Sequence, residues 1–328
     1  MSIPKTIDGQ TKEVVLRYYN KNKMLSFSKI AELILKNEKM PKRNTLESLA
    51  PIVNAVVKQH LAKSPEDFTL ENKVDFDIPE SLYEEYIPYQ VPSNNKNILV
   101  LCDIHLPYHH KNALKVAIED GVRRGVDTVI LNGDTIDFYS ISRFIKDPKF
   151  RDLTKELQVA RQFLKYLRAT FPDALIIFKT GNHEDRWKHH IWNHAADFAN
   201  LLNLDDVLHL NDFGIHFVDD KQLIKAGKLY IAHGHEIFSA SGAINVARNF
   251  RLKANDNVLF GHFHRTQDDY ARDLGNSFKG AWAVGSLCGL SPLYMPINQW
   301  NNGFAVVEVE DSGMFEIHNR KVLNGVIK

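Results

Sequence analysis

The chain has 328 residues, 44% of them hydrophobic and 25% charged, a composition that argues against disorder and leaves room for one or two domains with a large core. A formal net charge of +1 gives no global attraction to nucleic acid or to a membrane surface, so any such affinity has to come from a local patch. Two cysteines, Cys102 and Cys288, exclude a disulfide framework and read as reduced core thiols. The N-terminal MSIPKTIDGQTKE lacks the apolar run of a secretory signal and no stretch is long enough to span a bilayer, so a cytoplasmic location without a membrane partner is expected.

Residues 1–70 read as a small, basic helical domain. A first helix over Gln10–Lys21 carries Val14, Val15 and Tyr18 at helical spacing. A second, capped by Ser26 or Ser28, presents Ile30, Ala31, Leu33 and Ile34, and a third runs from after Asn44 to His60. With Lys36, Lys39, Lys42 and Arg43 between them, the three helices suit either a helix-turn-helix-like, nucleic-acid-binding module or a solvated helical cap. Residues 71–96 then turn acidic, with Pro79, Pro88 and Pro92 and with Tyr83, Tyr86 and Tyr89. This is an extended linker that lies along the next domain and pins itself there by its tyrosines.

The third segment, residues 97–328, opens on NILVLCDIH, an apolar strand that ends on Asp103 and His105. On an extended chain these two side chains leave the same face. A helix over Asn112–Arg124 follows, with Leu114, Ala117, Ile118 and Val122 inward. Then come a strand ending on NGDTID, a helix over Leu153–Arg168, and a strand over Ala174–Lys179 ending on GNHE. Alternating strands and helices of this kind form a sheet with crossover connections, and such sheets carry their sites at the carboxyl ends of the strands. WKHHIWNHAADFANLLNL reads as one more helix. The short runs GIHFVDD, KLYIAHGHE, NVLFGHFHR, GAWAVGSL, FAVVEVED and MFEIHNRKV predict a second sheet packed on the first.

Five polar clusters, DIH, GDTID, GNHE, AHGH and GHFH, each follow an apolar strand. So many ionisable groups at buried strand ends are costly unless they share a cation, and oxygen and imidazole donors without thiolate suit manganese, iron or zinc. In this order the clusters resemble the calcineurin-like metallophosphoesterase superfamily, with its pattern DxH, GDxxD, GNH[DE], H and GHxH. DFYSISRF and SLCGLSPLYMPINQWNNGFAVVE are further similar to phosphoesterases of bacteriophage and prophage genomes.

The resemblance implies an α/β fold of two packed mixed β-sheets flanked by helices, carrying the small N-terminal helical domain. It implies two divalent metal ions, manganese first, with iron, zinc or nickel as alternatives. One would be held by Asp103, His105 and His264, the other by Asn182, His233 and His262, with Asp134 bridging; His235 is an alternative to His233. Two cations roughly 3.5 to 4 Å apart yield a bridging hydroxide near neutral pH and clamp the phosphate for in-line attack. The resemblance further makes His183 the proton donor to the leaving group, oriented by Asp137. Arg186, Arg143 and Arg265 lie within a few residues of the motifs and read either as phosphate ligands or as surface and packing residues. The expected activity is a phosphodiesterase or nuclease acting on nucleic acid or nucleotides. A phosphomonoesterase, and a DNA- or protein-tethering module with a vestigial metal site, are the alternatives.

Overall fold

Alternation along one strand sets the layer order. In a computed structural model, which describes residues 7–39, 45–63, 80–237 and 244–328, Ile98, Val100 and Cys102 join one apolar cluster while Leu99 and Leu101 join another. Successive strand side chains point to opposite faces, so a strand apolar at every position is covered on both sides.

The chain divides into two units, Met1–Tyr83 and Glu84–Lys328. The first holds helices α1 (Gly9–Lys21), α2 (Phe27–Asn37) and α3 (Leu46–Lys63). Asp8 caps α1, its Oδ1 accepting from the Thr11 amide at 2.8 Å; of the two candidate serines, Ser26 caps α2, accepting from the Lys29 amide at 3.3 Å. Val15, Ile30, Ala31, Ile34, Leu49, Val53, Val56 and Val57 form the core between them. Lys36 and Lys39 are exposed, and Lys42 and Arg43 lie outside the described residues.

The second unit opens with the end of the stretch read as a linker, whose residues 71–79 lie outside the described set. Tyr89–Gln90 forms a strand, β1. The Tyr86 hydroxyl accepts from the Leu223 amide at 2.7 Å, and the Tyr89 ring stacks on His216 at 4.3 Å. This end of the stretch is therefore an edge strand of the second unit.

A seven-stranded sheet has the order β13-β12-β11-β2-β3-β4-β5, built from β2 (Asn97–Leu101), β3 (Thr128–Asn132), β4 (Leu175–Lys179), β5 (Ile215–Val218), β11 (Asn302–Val309), β12 (Phe315–Leu323) and β13 (Val326–Ile327). Strands β2 to β5 are mutually parallel, and β11 runs antiparallel to β2. A six-stranded sheet has the order β1-β6-β7-β8-β10-β9, with β6 (Ile224–Ala226), β7 (Leu229–Ala232), β8 (Val258–Phe260), β9 (Gln267–Arg272) and β10 (Phe278–Ala283). The two mixed sheets pack face to face through Ile98, Val100, Ile130 and Ile177 of one and Ile224, Leu229, Ile231 and Leu259 of the other. Helices α4 (Lys111–Arg124) and α5 (Leu153–Thr170) pack on the other face of the larger sheet, against Leu99, Val129 and Ile176. Helix α8 (Val246–Ala254) covers the smaller sheet, with Phe250 stacked on Phe260 at 3.8 Å.

Three expectations need correction. GIHFVDD, FAVVEVED and MFEIHNRKV become β5, β11 and β12 of the first sheet, not members of the second, because β11 pairs in register with β2 (Ala305 opposite Val100). Strand periodicity identifies a strand without identifying its neighbour. Val122 is 52% exposed, and Gly121 takes the inward place on α4 beside Leu114, Ala117 and Ile118. WKHHIWNHAADFANLLNL is not one helix: α6 (Asp185–His194) stops at Ala195 (φ −152°), and a tight turn over Ala196–Leu201 leads to α7 (Leu204–Leu208). The break lets the Trp187 indole donate to the Leu202 carbonyl at 2.8 Å. Among the described residues no helix is long and apolar enough to cross a membrane.

Candidate metal centre

The polar clusters stand at the carboxyl ends of β2, β3 and β4 in one sheet and of β7 and β8 in the other. Asp103 and His105 do not project from an extended strand, as alternation predicts. Strand β2 stops at Leu101, and both residues adopt left-handed backbone, φ 54° and 53°. The Asp103 amide donates to the Gly133 carbonyl (3.2 Å), the His105 amide to that of Asp134 (2.9 Å) and the Leu106 amide to that of Thr135 (2.8 Å). These bonds zip the first two loops together. Asp134, His262 and His264 are left-handed as well, at φ 51°, 68° and 57°. Each such residue costs on the order of 1 kcal/mol or more, which the surrounding hydrogen bonds offset.

Ligand-competent atoms of Asp103, His105 and Asp134 lie within 4.8 Å of one another, as do those of Asp134, His233 and His262. Asp134 belongs to both groups. Its Oδ2 is 3.3 Å from His233 Nε2 and 3.9 Å from His105 Nε2. His264 lies beside the first group, with Nε2 3.2 Å from Asp103 Oδ1 and 3.3 Å from His105 Nε2. Asn182 lies beside the second, with Oδ1 3.1 Å from His233 Nε2. Two imidazole nitrogens facing each other beside a carboxylate are relieved by a cation among them, and the donor set suits one.

The outer nitrogens are occupied. His233 Nδ1 is 2.9 Å from the Asn132 carbonyl, and His105 Nδ1 is 3.0 Å from Asp137 Oδ1, which turns each Nε2 inward. Burial opposes ionisation of Asp134, yet His183, His233 and His105 outweigh it and hold its pKa well below the usual carboxylate range. For His233 and His264 burial likewise disfavours the charged ring. The carboxylates of Asp134 and Asp103 prevail and raise both to about 10. His262 is lowered to about 4, by burial and then by the charge of His233.

His183 stands beside these groups. Its Nε2 is 3.8 Å from Asp134 Oδ2, and its Nδ1 is 2.8 Å from the Asp137 carbonyl and 3.3 Å from the Asp137 carboxylate. Burial lowers its pKa, but Asp134 and Asp137 together raise it on balance. Asp137 therefore touches both His183 and His105. Of the three arginines, the structure brings Arg186 to the cluster: its guanidinium donates to the Asp137 carbonyl and meets His183 Nε2, both at 2.8 Å. Arg143 is exposed with its guanidinium over the Phe144 ring, and Arg265 donates to Gln299 at 2.9 Å. His235 is in neither group that contains Asp134; its Nε2 lies 3.3 Å from Asp185 Oδ2.

Supporting residues escape a reading of the sequence by motif. The buried Glu184 carboxylate accepts from the amides of Asp134 (2.9 Å), Ile136 (2.9 Å) and Gly181 (2.8 Å), tying the second and third loops together. Glu236 accepts from the amides of His233 (2.9 Å) and Gly234 (2.6 Å), and pairs with Lys179 Nζ at 2.6 Å. Cys288, read as a core thiol, lies 3.7 Å from His264 Nδ1. The available signals were an acid closing GNHE, an acid closing AHGHE, and a lysine ending the apolar run LIIFK. Close approach also fixes two glycines. A Cβ on Gly181 would lie 2.3 Å from Asp134 Oδ1, and one on Gly261 2.6 Å from Asp103 Oδ2.

Two sheets and a double cluster of imidazole and carboxylate at their strand ends define a metal-dependent phosphoester hydrolase. The family model for calcineurin-like phosphoesterases matches residues 96–278, and the chain belongs to that family. The Gene 54 protein of Mycobacterium phage L5 is 26% identical over 231 residues, covering 66% of this chain and 90% of that protein. The Gene 54 protein of Mycobacterium phage D29 is 24% identical over the same shares. Both are phage proteins, in line with the phage-type resemblance of the motifs. Among solved structures, a Vps29 single mutant from Entamoeba histolytica gives a TM-score of 0.38 at 16% identity, over 71% of this chain and 96% of that one. YfcE, a phosphoesterase from E. coli, gives 0.31 at 13% identity, over 68% and 98%.

Proposed function

We propose that the chain is a cytoplasmic two-metal phosphodiesterase acting on nucleic acid or nucleotides, with manganese as the preferred ion. The observation that carries this reading is the position of Asp134, whose carboxylate is shared by two separate donor groups and faces the imidazole of His183. Asp103, His105 and His264 would hold one ion, and Asn182, His233 and His262 the other, with Asp134 common to both. Bound divalent ions supply the charge that activates water and neutralises phosphoryl oxygens.

The chain's own residues supply the rest. His183 is fixed at Nδ1 by the Asp137 carbonyl, so Nε2 is the atom that gives a proton to the departing alkoxide. The neighbouring carboxylates raise its pKa on balance and so favour the protonated ring. Once Nε2 carries its proton, the Arg186 guanidinium can no longer donate to it and turns to a phosphate oxygen.

The test compares bis-p-nitrophenyl phosphate with p-nitrophenyl phosphate on the manganese-loaded full chain. A higher kcat/KM on the diester, abolished by Asp134→Asn, is expected. A preference for the monoester overturns the diesterase assignment.

A further inference from the structure

The metal centre is bordered by aromatic rings that hydrolysis itself does not use. The half-buried ring of Trp300 lies 4.2 Å from the His264 imidazole, at 58° to it. Tyr294 meets Trp300 edge-on at 6.5 Å, and Tyr108, three residues beyond His105, meets Tyr139 at 6.3 Å. The hydroxyls of Tyr108 and Tyr294 are both pushed up to about 12, by desolvation and then by the charge of Asp137, while the residues remain 40% and 75% exposed. The Tyr108 amide donates to the His105 carbonyl at 2.6 Å and Tyr294 joins the site through Trp300, and both still present ring surface to solvent.

The loop that carries the rings is braced. Asn298 Nδ2 donates to the carbonyls of Leu290 (2.7 Å) and Met295 (2.9 Å), and the Trp300 amide donates to Asn298 Oδ1 (2.9 Å). The Gly289 amide donates to the Tyr108 carbonyl at 2.9 Å, which joins this loop to the one bearing Tyr108. The backbone that carries the rings is thereby tied together.

A ring in contact with a candidate ligand, a second ring against it and a third joined by its backbone to another candidate ligand, His105, suit a diester whose phosphate sits on the metals and whose flat substituents lie beside it. Nucleobases are such substituents, each one sugar away from its phosphate. In a duplex their faces are covered by stacking; in a single strand they are open to side-chain rings. We infer that Tyr294 and Trp300, with Tyr108, form a stacking platform for unpaired bases flanking the scissile phosphate, so that the substrate class is single-stranded nucleic acid. This rests on the phosphodiesterase reading and narrows it. The same loop also exposes Leu293 and Ile297, which would favour an aliphatic chain instead, and the test separates the two.

The manganese-loaded full chain is assayed on four substrates: a single-stranded oligodeoxynucleotide, a strand of equal length with every base removed, the duplex, and a glycerophosphodiester that contains no ring. The single strand should exceed the base-free strand in kcat/KM about tenfold or more, through KM, and should exceed the duplex. Tyr294→Ala should reduce the ratio of base-bearing to base-free cleavage about tenfold, Tyr294→Phe should preserve it, and Tyr294→Leu should not. Trp300→Phe should preserve it too. Equal cleavage of the base-bearing and base-free strands, a preference for duplex, or a ratio retained in Tyr294→Leu would overturn the platform. Turnover of the ringless diester with no cleavage of any strand also overturns it while leaving the diesterase reading intact. Turnover of monoesters alone removes that reading itself.

Discussion

The carboxylate of Asp137 lies 3.0 Å from Nδ1 of His105, on the ring nitrogen opposite the one that faces His264. It therefore orients a candidate ligand as well as neighbouring His183. Asp137→Asn should weaken divalent-ion affinity about 10- to 100-fold, as loss of a carboxylate behind a ligating imidazole does. Isothermal titration with manganese measures this. Unchanged affinity with reduced turnover would confine Asp137 to His183.

His183→Ala should slow esters with poorly acidic leaving groups by about 10²- to 10⁴-fold, the usual contribution of a general acid. A p-nitrophenolate ester, whose leaving group hardly needs a proton, should be slowed far less. The plot of log kcat against leaving-group pKa therefore steepens in the variant. Parallel lines for variant and parent would exclude proton donation.

Lys179 and Glu236 make an ion pair with side chains 0% and 6% exposed. Burial works against ionisation of Glu236, but Lys179, then His235 and His233, hold it at about 2. A carboxylate depressed in the folded state contributes stability that is complete above its unfolded pKa. That contribution should fade between about pH 4.5 and about pH 2, which thermal melts of the metal-free protein across this window would show. Lys179→Met alone should cost about 3 to 5 kcal/mol, since it strands a buried charge, whereas Lys179→Met combined with Glu236→Gln, which removes that charge and keeps an acceptor for the His233 and Gly234 amides, should cost less. Additive losses would make the pairing irrelevant.

Metal uptake should release protons. In the metal-free protein His233 and His264 are raised to about 10 and so carry protons at neutral pH, which an incoming ion must displace. Apparent affinity should rise as pH rises, and titration heats should vary with the ionisation enthalpy of the buffer. Heats independent of the buffer would show that these rings are already neutral. Chelation should lower Tm by the lost binding linkage.

The five clusters were legible because each follows an apolar run, and the presence of two sheets follows from the same runs, although the membership of β5, β11 and β12 does not. The route by which Asp103 and His105 converge was not legible. Periodicity describes extended chain, and these residues leave it at Leu101 for left-handed backbone. The joining of β11 to β2 was also hidden, since it depends on a pairing some 200 residues apart in sequence. Glu184 and Glu236 bind backbone amides, a role that residue identity alone does not announce. Trp300 and Tyr294 gain significance only once the chain has returned to the first motif.

The left-handed backbone at Asp103, His105, Asp134, His262 and His264 restricts these positions twice. Aspartate, asparagine and histidine are the non-glycine residues most at ease in that conformation, and the same three offer oxygen or imidazole to a cation. Attempts to retune the centre with glutamate, or to fill it with a β-branched residue, would meet a conformational barrier before any question of coordination arose. The accessible alphabet for altering metal preference here is correspondingly short.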